Sequence, residues 1–343
     1  MEHATLIKEL GRFLSALLTA YLLANGASQT DAASLIRTNF ATSITSESMT
    51  VVWVAKERGF FQKYGLDVQS IQMPRSALTV TALVVGEIDA AIIGPGHLLN
   101  AATSGADVIG IANFVQKLNY RFIGRPEIKK PEELRGKRVA ISGPGAVSHI
   151  VAMLALQNLG IDPNREKITF LTIPGTEMNR RIALESVSVD ASALNAAVGD
   201  LYASRGYSLL FNFKDSGISL AQTVLITSRR TIAAKPQVID GYLKAFIEAI
   251  AYVLEPANKS ALVRIIASNL HVESPVAEEA YQAVVNNYER IPYPNVEGIK
   301  RLQSIMVQSN PKLSNVRAES VVDSALISRL EAAGFIKSVY KGP

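Results

Sequence analysis

The chain has 343 residues, 48% hydrophobic and 19% charged, enough to bury a sizeable core and more than one compact domain comfortably holds, so two lobes are expected. Its formal charge of +5 is carried by scattered Lys and Arg with no block of five like charges, which argues against nucleic acid as a partner. The absence of cysteine excludes disulfides, thiolate metal sites, cysteine nucleophiles and a lipid-modified N-terminal Cys, and His3, His97, His149 and His271 include no close pair that could seed a metal site.

At the N-terminus the apolar run FLSALLTAYLLA, residues 13–24, follows Lys8 and Arg12 and precedes a small, polar stretch. A dozen residues fall short of the ~20 that cross a bilayer but suit the h-region of a signal peptide. The expectation is a signal peptide over residues 1–33, with Ala24 and Gly26, or Thr30 and Ala32, at the cleavage site. A buried core helix is the competing reading, and Glu2 and Glu9 weaken the positive flank. No later run reaches transmembrane length, so the chain after about Ser34 is expected to be soluble.

Residues 35–40, LIRTNF, alternate as a strand does and lead through the hydroxyl-rich ATSITSES to a helix at 49–58. Gly59 stops that helix in a left-handed cap, Phe60 and Phe61 supply apolar anchors, and Gly65 turns the chain into a strand at 66–72. Strand, helix, strand in this order is an α/β unit with a parallel sheet. The pattern continues with a helix at 77–85, a strand at 89–93, a helix from His97 and a strand at 108–112. After the charged EIKKPEELRGK a second series follows: strand 138–142, helix 147–159, strand 168–173, a helix from Glu177 and strand 190–194. From Gln237 onward the chain reads as mostly helical. An internal echo joins the two series: Ala82-Leu83 precedes Asp89-Ala90 at the spacing with which Ala183-Leu184 precedes Asp190-Ala191.

Ligands of open α/β sheets bind beyond the carboxyl ends of the strands, where helix N-termini present free N–H groups. The first such loop holds Thr42, Ser43 and Thr45, whose hydroxyls could meet a ligand or merely cap the next helix. Gly94, Pro95 and Gly96 ahead of His97, and Gly145, Ala146, Val147 and Ser148 in the second series, let the backbone approach a ligand closely, one loop per half. Neither matches a nucleotide-phosphate fingerprint. Asn113, Glu177 and Asn195 occupy similar positions as caps or contacts, His97 and His149 could donate to an anion, and Arg121 and Arg125 are either charge partners or solvated surface. No GxSxG, HExxH or carboxylate pair suggests catalysis, and no cofactor is expected.

The run from Trp53 to Val68 with its GFF(x)3GLDV core, Leu83-(x)2-Gly86-Glu87-Ile88-Asp89-Ala90, and PEELRGKRV from Pro131 to Val139 together resemble the periplasmic substrate-binding proteins of ABC importers. The branch they resemble most includes nitrate, sulfonate and taurine binders and thiamine-pyrimidine-synthase-like proteins. The resemblance implies a two-lobed type II α/β fold, each lobe a mainly parallel sheet flanked by helices, with a helical C-terminal extension. Lobe 1 would comprise residues 34–122 and 225–343 and lobe 2 residues 123–224, joined by crossings at 120–126 and 221–229. It further implies a soluble, monomeric, non-enzymatic periplasmic protein without a lipid anchor, whose ligand meets the loop residues named above and whose partner is an inner-membrane permease. The second echo has Glu185-Ser186-Val187-Ser188 where that family has a glycine, which puts the turn's shape in question, and the cysteine-rich motif of the pyrimidine synthases is absent.

A micromolar complex needs about 8 kcal/mol. Helix ends give an anion only ~0.3–1 kcal/mol each, so side-chain and apolar contacts must supply the remainder and a small organic anion is expected. A lyase or synthase on the same fold, or a ligand sensor, is the alternative.

Overall fold

The computed structural model describes residues 34–44, 46–73, 75–173, 177–214, 216–307 and 310–340. The expected signal peptide and its cleavage site, and Thr45, lie outside them. Strands β1 (Ile36–Thr42), β2 (Leu66–Gln72), β3 (Ala90–Ile93), β4 (Ile109–Lys117) and β10 (Ser219–Thr227) form one sheet in the order β2-β1-β3-β10-β4. Strands β5 (Tyr120–Gly124), β6 (Arg138–Ile141), β7 (Thr169–Thr172), β8 (Ala191–Asn195) and β9 (Ser208–Asn212) form a second in the order β7-β6-β8-β5-β9. The orders correspond strand for strand. β1 runs parallel to β3, β6 runs parallel to β7 and β8, and the fourth strand of each sheet is antiparallel to its neighbours.

That fourth strand corrects the expected crossings. Residues 120–126 and 221–229 contain β5 and most of β10, which belong to sheets; the chain passes between sheets at 118–119 and again at 213–218. In each half the fourth strand, β10 or β5, is thus the first piece of chain to arrive from the other half.

The first series carries α1 (Thr50–Glu57), α2 (Phe60–Lys63), α3 (Ser76–Val85) and α4 (Pro95–Thr103), and the second α5 (Val147–Asn158), α6 (Glu177–Glu185) and α7 (Ala196–Ser204). The C-terminal part is helical as expected, with α8 (Arg229–Ala234), α9 (Pro236–Leu254), α10 (Lys259–Leu270), α11 (Ser274–Asn287), α12 (Val296–Met306), α13 (Ala325–Ala332) and α14 (Phe335–Tyr340). Gly59 takes φ +69, the left-handed cap expected of it. The two phenylalanines that follow anchor α2 to α9: Phe61 is buried edge-on against Tyr242 and Phe246, while Phe60 meets Tyr252 at the rim.

The echo is a shared piece of structure. In both halves the helix ends in a Schellman turn, Glu87 N–H donating to the Ala82 carbonyl and Ser188 N–H to that of Ala183. The left-handed residue is Gly86 (φ +86) in the first and Val187 (φ +65) in the second, so the turn keeps its shape without the glycine. A β-branched residue there costs ~1–2 kcal/mol, against ~0.5–1 kcal/mol for the chain entropy of a glycine. Val187 is exposed, so Val187→Gly loses little packing and is expected to raise stability by about 0.5–1 kcal/mol, read as a higher urea midpoint with an unchanged slope.

Candidate functional site

The loops at the carboxyl ends of β3 and β6 meet. Gly94 caps α4 in extended conformation, and Pro95 opens the helix at a position where a missing N–H costs nothing. A Cβ on Gly96 would stand 3.2 Å from the Gly145 carbonyl oxygen and 3.2 Å from Met306 Sδ. The glycine-rich loops of the two halves are therefore in contact, and Gly96 permits that approach. Gly145 itself is left-handed at φ +76.

Around this junction most of the expected polar groups already have partners. Ser148 is buried, and its hydroxyl accepts from Ser142 N–H and pairs with the Ser142 hydroxyl, both at 2.8 Å. The Gly145 N–H donates to His149 Nδ1 at 3.1 Å, and that of Ala146 to the Gly143 carbonyl, while Val147 packs on the core. Burial lowers both His97 and His149 below the usual imidazole range, so each is neutral near pH 7 and could donate only through the single N–H of a neutral ring. Thr42 folds back on Ile44, and Ser43 bonds Ser76 at 2.6 Å. Asn113 is corrected: it lies inside β4, where its amide donates to the Val115 and Thr223 carbonyls across a bulge shared with β10. Arg121 is no solvated cation either; it is buried with a two-pronged bond to Asp200.

Glu177 and Asn195 do come together. Asn195 caps α7, accepting from Val198 N–H, while its main-chain and side-chain N–H groups donate to the two Glu177 oxygens at 2.8 Å each. Arg180, one turn along α6, is buried with its Nη2 3.8 Å from Glu177 Oε2. The half-buried Glu47, just before α1 in the first half, is close enough to act electrostatically on Glu177, and Tyr120 feels both carboxylates. Burial pushes Glu177 up to about 7 and raises Glu47 as well; Arg180 pulls Glu177 down and Glu47 pushes it up. Tyr120 is raised by burial and by both carboxylates.

Sequence reasoning missed Glu47, Arg180 and Tyr288. Arg180 was visible as i+3 from Glu177, the spacing that puts two residues on one helix face. Tyr288 had no such signal: from 240 residues downstream its hydroxyl donates to the Ser48 carbonyl and accepts from Val51 N–H, fixing the loop that carries Glu47. Arg181, next along α6, turns away over the Tyr202 ring.

A family model described as NMT1/THI5 like matches residues 46–259, more than half of the chain. The chain belongs to the NMT1/THI5-like family. A relative of this NMT1/THI5-like chain in Brucella abortus (strain 2308), named only as a binding protein, is 26% identical over 145 residues, 42% of this chain and 43% of the relative, so the match spans less than half of that relative's length. Among solved structures, the alkanesulfonate-binding protein SsuA from Xanthomonas axonopodis pv. citri, bound to MOPS, superposes with TM-score 0.64 at 19% identity over 85% of this chain and 99% of that one. The nitrate-binding protein NrtA from Synechocystis gives 0.65 at 14% identity over 87% and 89%. The desulfurization enzyme DSZB gives 0.58 at 13% identity over 87% and 99%. At these identities the likeness establishes the periplasmic-binding-protein fold alone.

Proposed function

We propose that this chain is the solute-binding component of an ABC importer, a soluble monomer exported to the periplasm without a lipid anchor, which closes two lobes on a small organic anion and delivers it to an inner-membrane permease. The lobes in this reading are residues 37–118 with 219–340, and 119–218, each built on one sheet. The observation that carries it is the contact of Gly96 with Gly145, which sets the helix beginnings of the two halves face to face where a hinge closure would trap a ligand. Fold neighbours named as sulfonate-binding and nitrate-binding proteins support an anionic ligand, and the sulfonate binders an organic one.

The test is a thermal-shift screen of short organic sulfonates, carboxylates and phosphonates. A ligand at a hundred times its dissociation constant adds about 2.7 kcal/mol of stability. Gly96→Phe is expected to remove the shift while leaving unfolding cooperative, because the added ring must displace the Gly145 loop. Absence of any shift across the screen would refute the reading. A second reading, an enzyme of the same architecture, is favoured only by the DSZB fold; conversion of a bound compound on prolonged incubation would establish it, whereas a binding protein returns its ligand unchanged.

A further inference from the structure

Arg180 is a long cation, a residue type seldom fully buried unless paired, yet it is only 7% exposed. Among the described residues its Nε–H has no acceptor, and its separation of 3.8 Å from Glu177 is too long for a hydrogen bond. Both Glu177 oxygens are already occupied by Asn195. The buried Nε–H donor is thus left without a partner among the described residues on the first turn of α6, beside the capped start of α7, where two helix N-termini also favour negative charge. An unsatisfied buried donor of this kind calls for an acceptor, and a ligand's anionic group is one.

We propose that Arg180 anchors the anionic group of the ligand and that Glu177 takes up a proton as the anion arrives, so that the site binds one anion and one proton together. The proposal rests on the reading of this junction as the ligand site. The charged and titratable groups around Glu177 are Arg180 and Arg181 on its own helix, Glu47 from the loop before α1 and Tyr120 at the start of β5. An ionised Glu177 competes with the anion for Arg180 and repels it; a protonated Glu177 removes the repulsion. With Glu177 titrating at about 7, it is mostly protonated at pH 6 and mostly ionised at pH 8.

The experiment is calorimetric titration of the purified chain with 1-butanesulfonate, propanoate and propylphosphonate, at pH 6 and pH 8. Butanesulfonate decides the proton question because it does not itself titrate in this range. Its affinity is expected to fall about tenfold from pH 6 to pH 8, the ratio of protonated fractions for one group near 7. Glu177→Gln is expected to flatten that profile even though it weakens one bond to Asn195. Arg180→Met should lose at least about tenfold in affinity at both pH values, with Arg180→Lys retaining part of it. A shape-supporting role for Arg180 would leave the pH profile unmoved. If butanesulfonate binds wild type and Arg180→Met alike, or if Glu177→Gln keeps the wild-type profile, the proposal is wrong while the binding-protein reading stands. If none of the three probes binds wild type, both fall. Should Arg180→Met fail to fold, the affinity of Arg180→Lys and the pH profile of Glu177→Gln decide between anchor and support.

Discussion

Replacing Phe246 with Ala is expected to lower the stability of the chain by about 3–5 kcal/mol, the range for truncating a large aromatic in a packed core. Phe246 sits on the inner face of α9, fully buried, with its ring 5.3–5.6 Å from those of Phe40 on β1, Phe61 on α2 and Phe114 on β4, and stacked on Tyr242 one turn away. The four partners come from segments up to some two hundred residues distant in sequence, so one ring joins the first sheet, the GFF helix and the C-terminal helices. Truncation opens a void that four rings border, and rings held by separate elements cannot all collapse into it. Chemical denaturation with Phe246→Leu beside Phe246→Ala checks the claim: the leucine variant should lose clearly less. A loss under ~1 kcal/mol for alanine would mean that α9 is not what organises the first half.

The same residues show why the fold was legible and the site much less so. Strand-helix alternation is a local property, written in the spacing of Leu66, Val68 and their like, and the strands of both α/β series begin where the spacing puts them to within a residue, though β4 runs on to Lys117, past the expected end at 112. The GFF anchor and its left-handed glycine were equally local. Missed were β5, β9 and β10, whose antiparallel places in the two sheets follow from where the chain crosses, a matter of topology that no window of a dozen residues contains. The loops facing each other at Gly96 and Gly145 could be anticipated because each follows a strand and opens a helix. What their side chains do could not. Ser148 and His149 turn inward to hold their own loop, whereas Glu47 and Arg180, unremarkable in sequence, both act on Glu177, one of them from the other half. Charge at a junction depends on contacts between distant segments, and the lone sequence does not encode those as a pattern.

Asp190→Ala is expected to cost about 3 kcal/mol near neutral pH, the lower part of the range for breaking a buried ion pair, because Arg138 is 41% exposed and can regain water. The buried Asp190 carboxylate accepts from Arg138 three times, from the main-chain N–H at 2.9 Å, Nε at 2.9 Å and Nη2 at 3.0 Å, and faces Arg125 at 3.6 Å. It thereby ties the start of β8 to the start of β6, as the buried Asp89 ties the start of β3 to β1 through Thr38 and Asn39 N–H. The Arg138 hydrogen bonds hold the Asp190 carboxyl below the usual aspartate range. A carboxyl depressed in the folded state contributes stability that is present above its unfolded value of ~3.9 and disappears as pH falls through the folded one. The gap between wild type and Asp190→Ala should therefore be widest near pH 7 and narrow below about pH 4, as unfolding midpoints across pH would show. Asp190→Asn separates charge from shape: it keeps the volume and one acceptor, so a loss nearly as large as that of alanine at pH 7 assigns the clamp to the charge. A gap that stays constant from pH 7 to pH 3 would instead place its worth in packing, and the parallel with Asp89 would then be one of geometry alone.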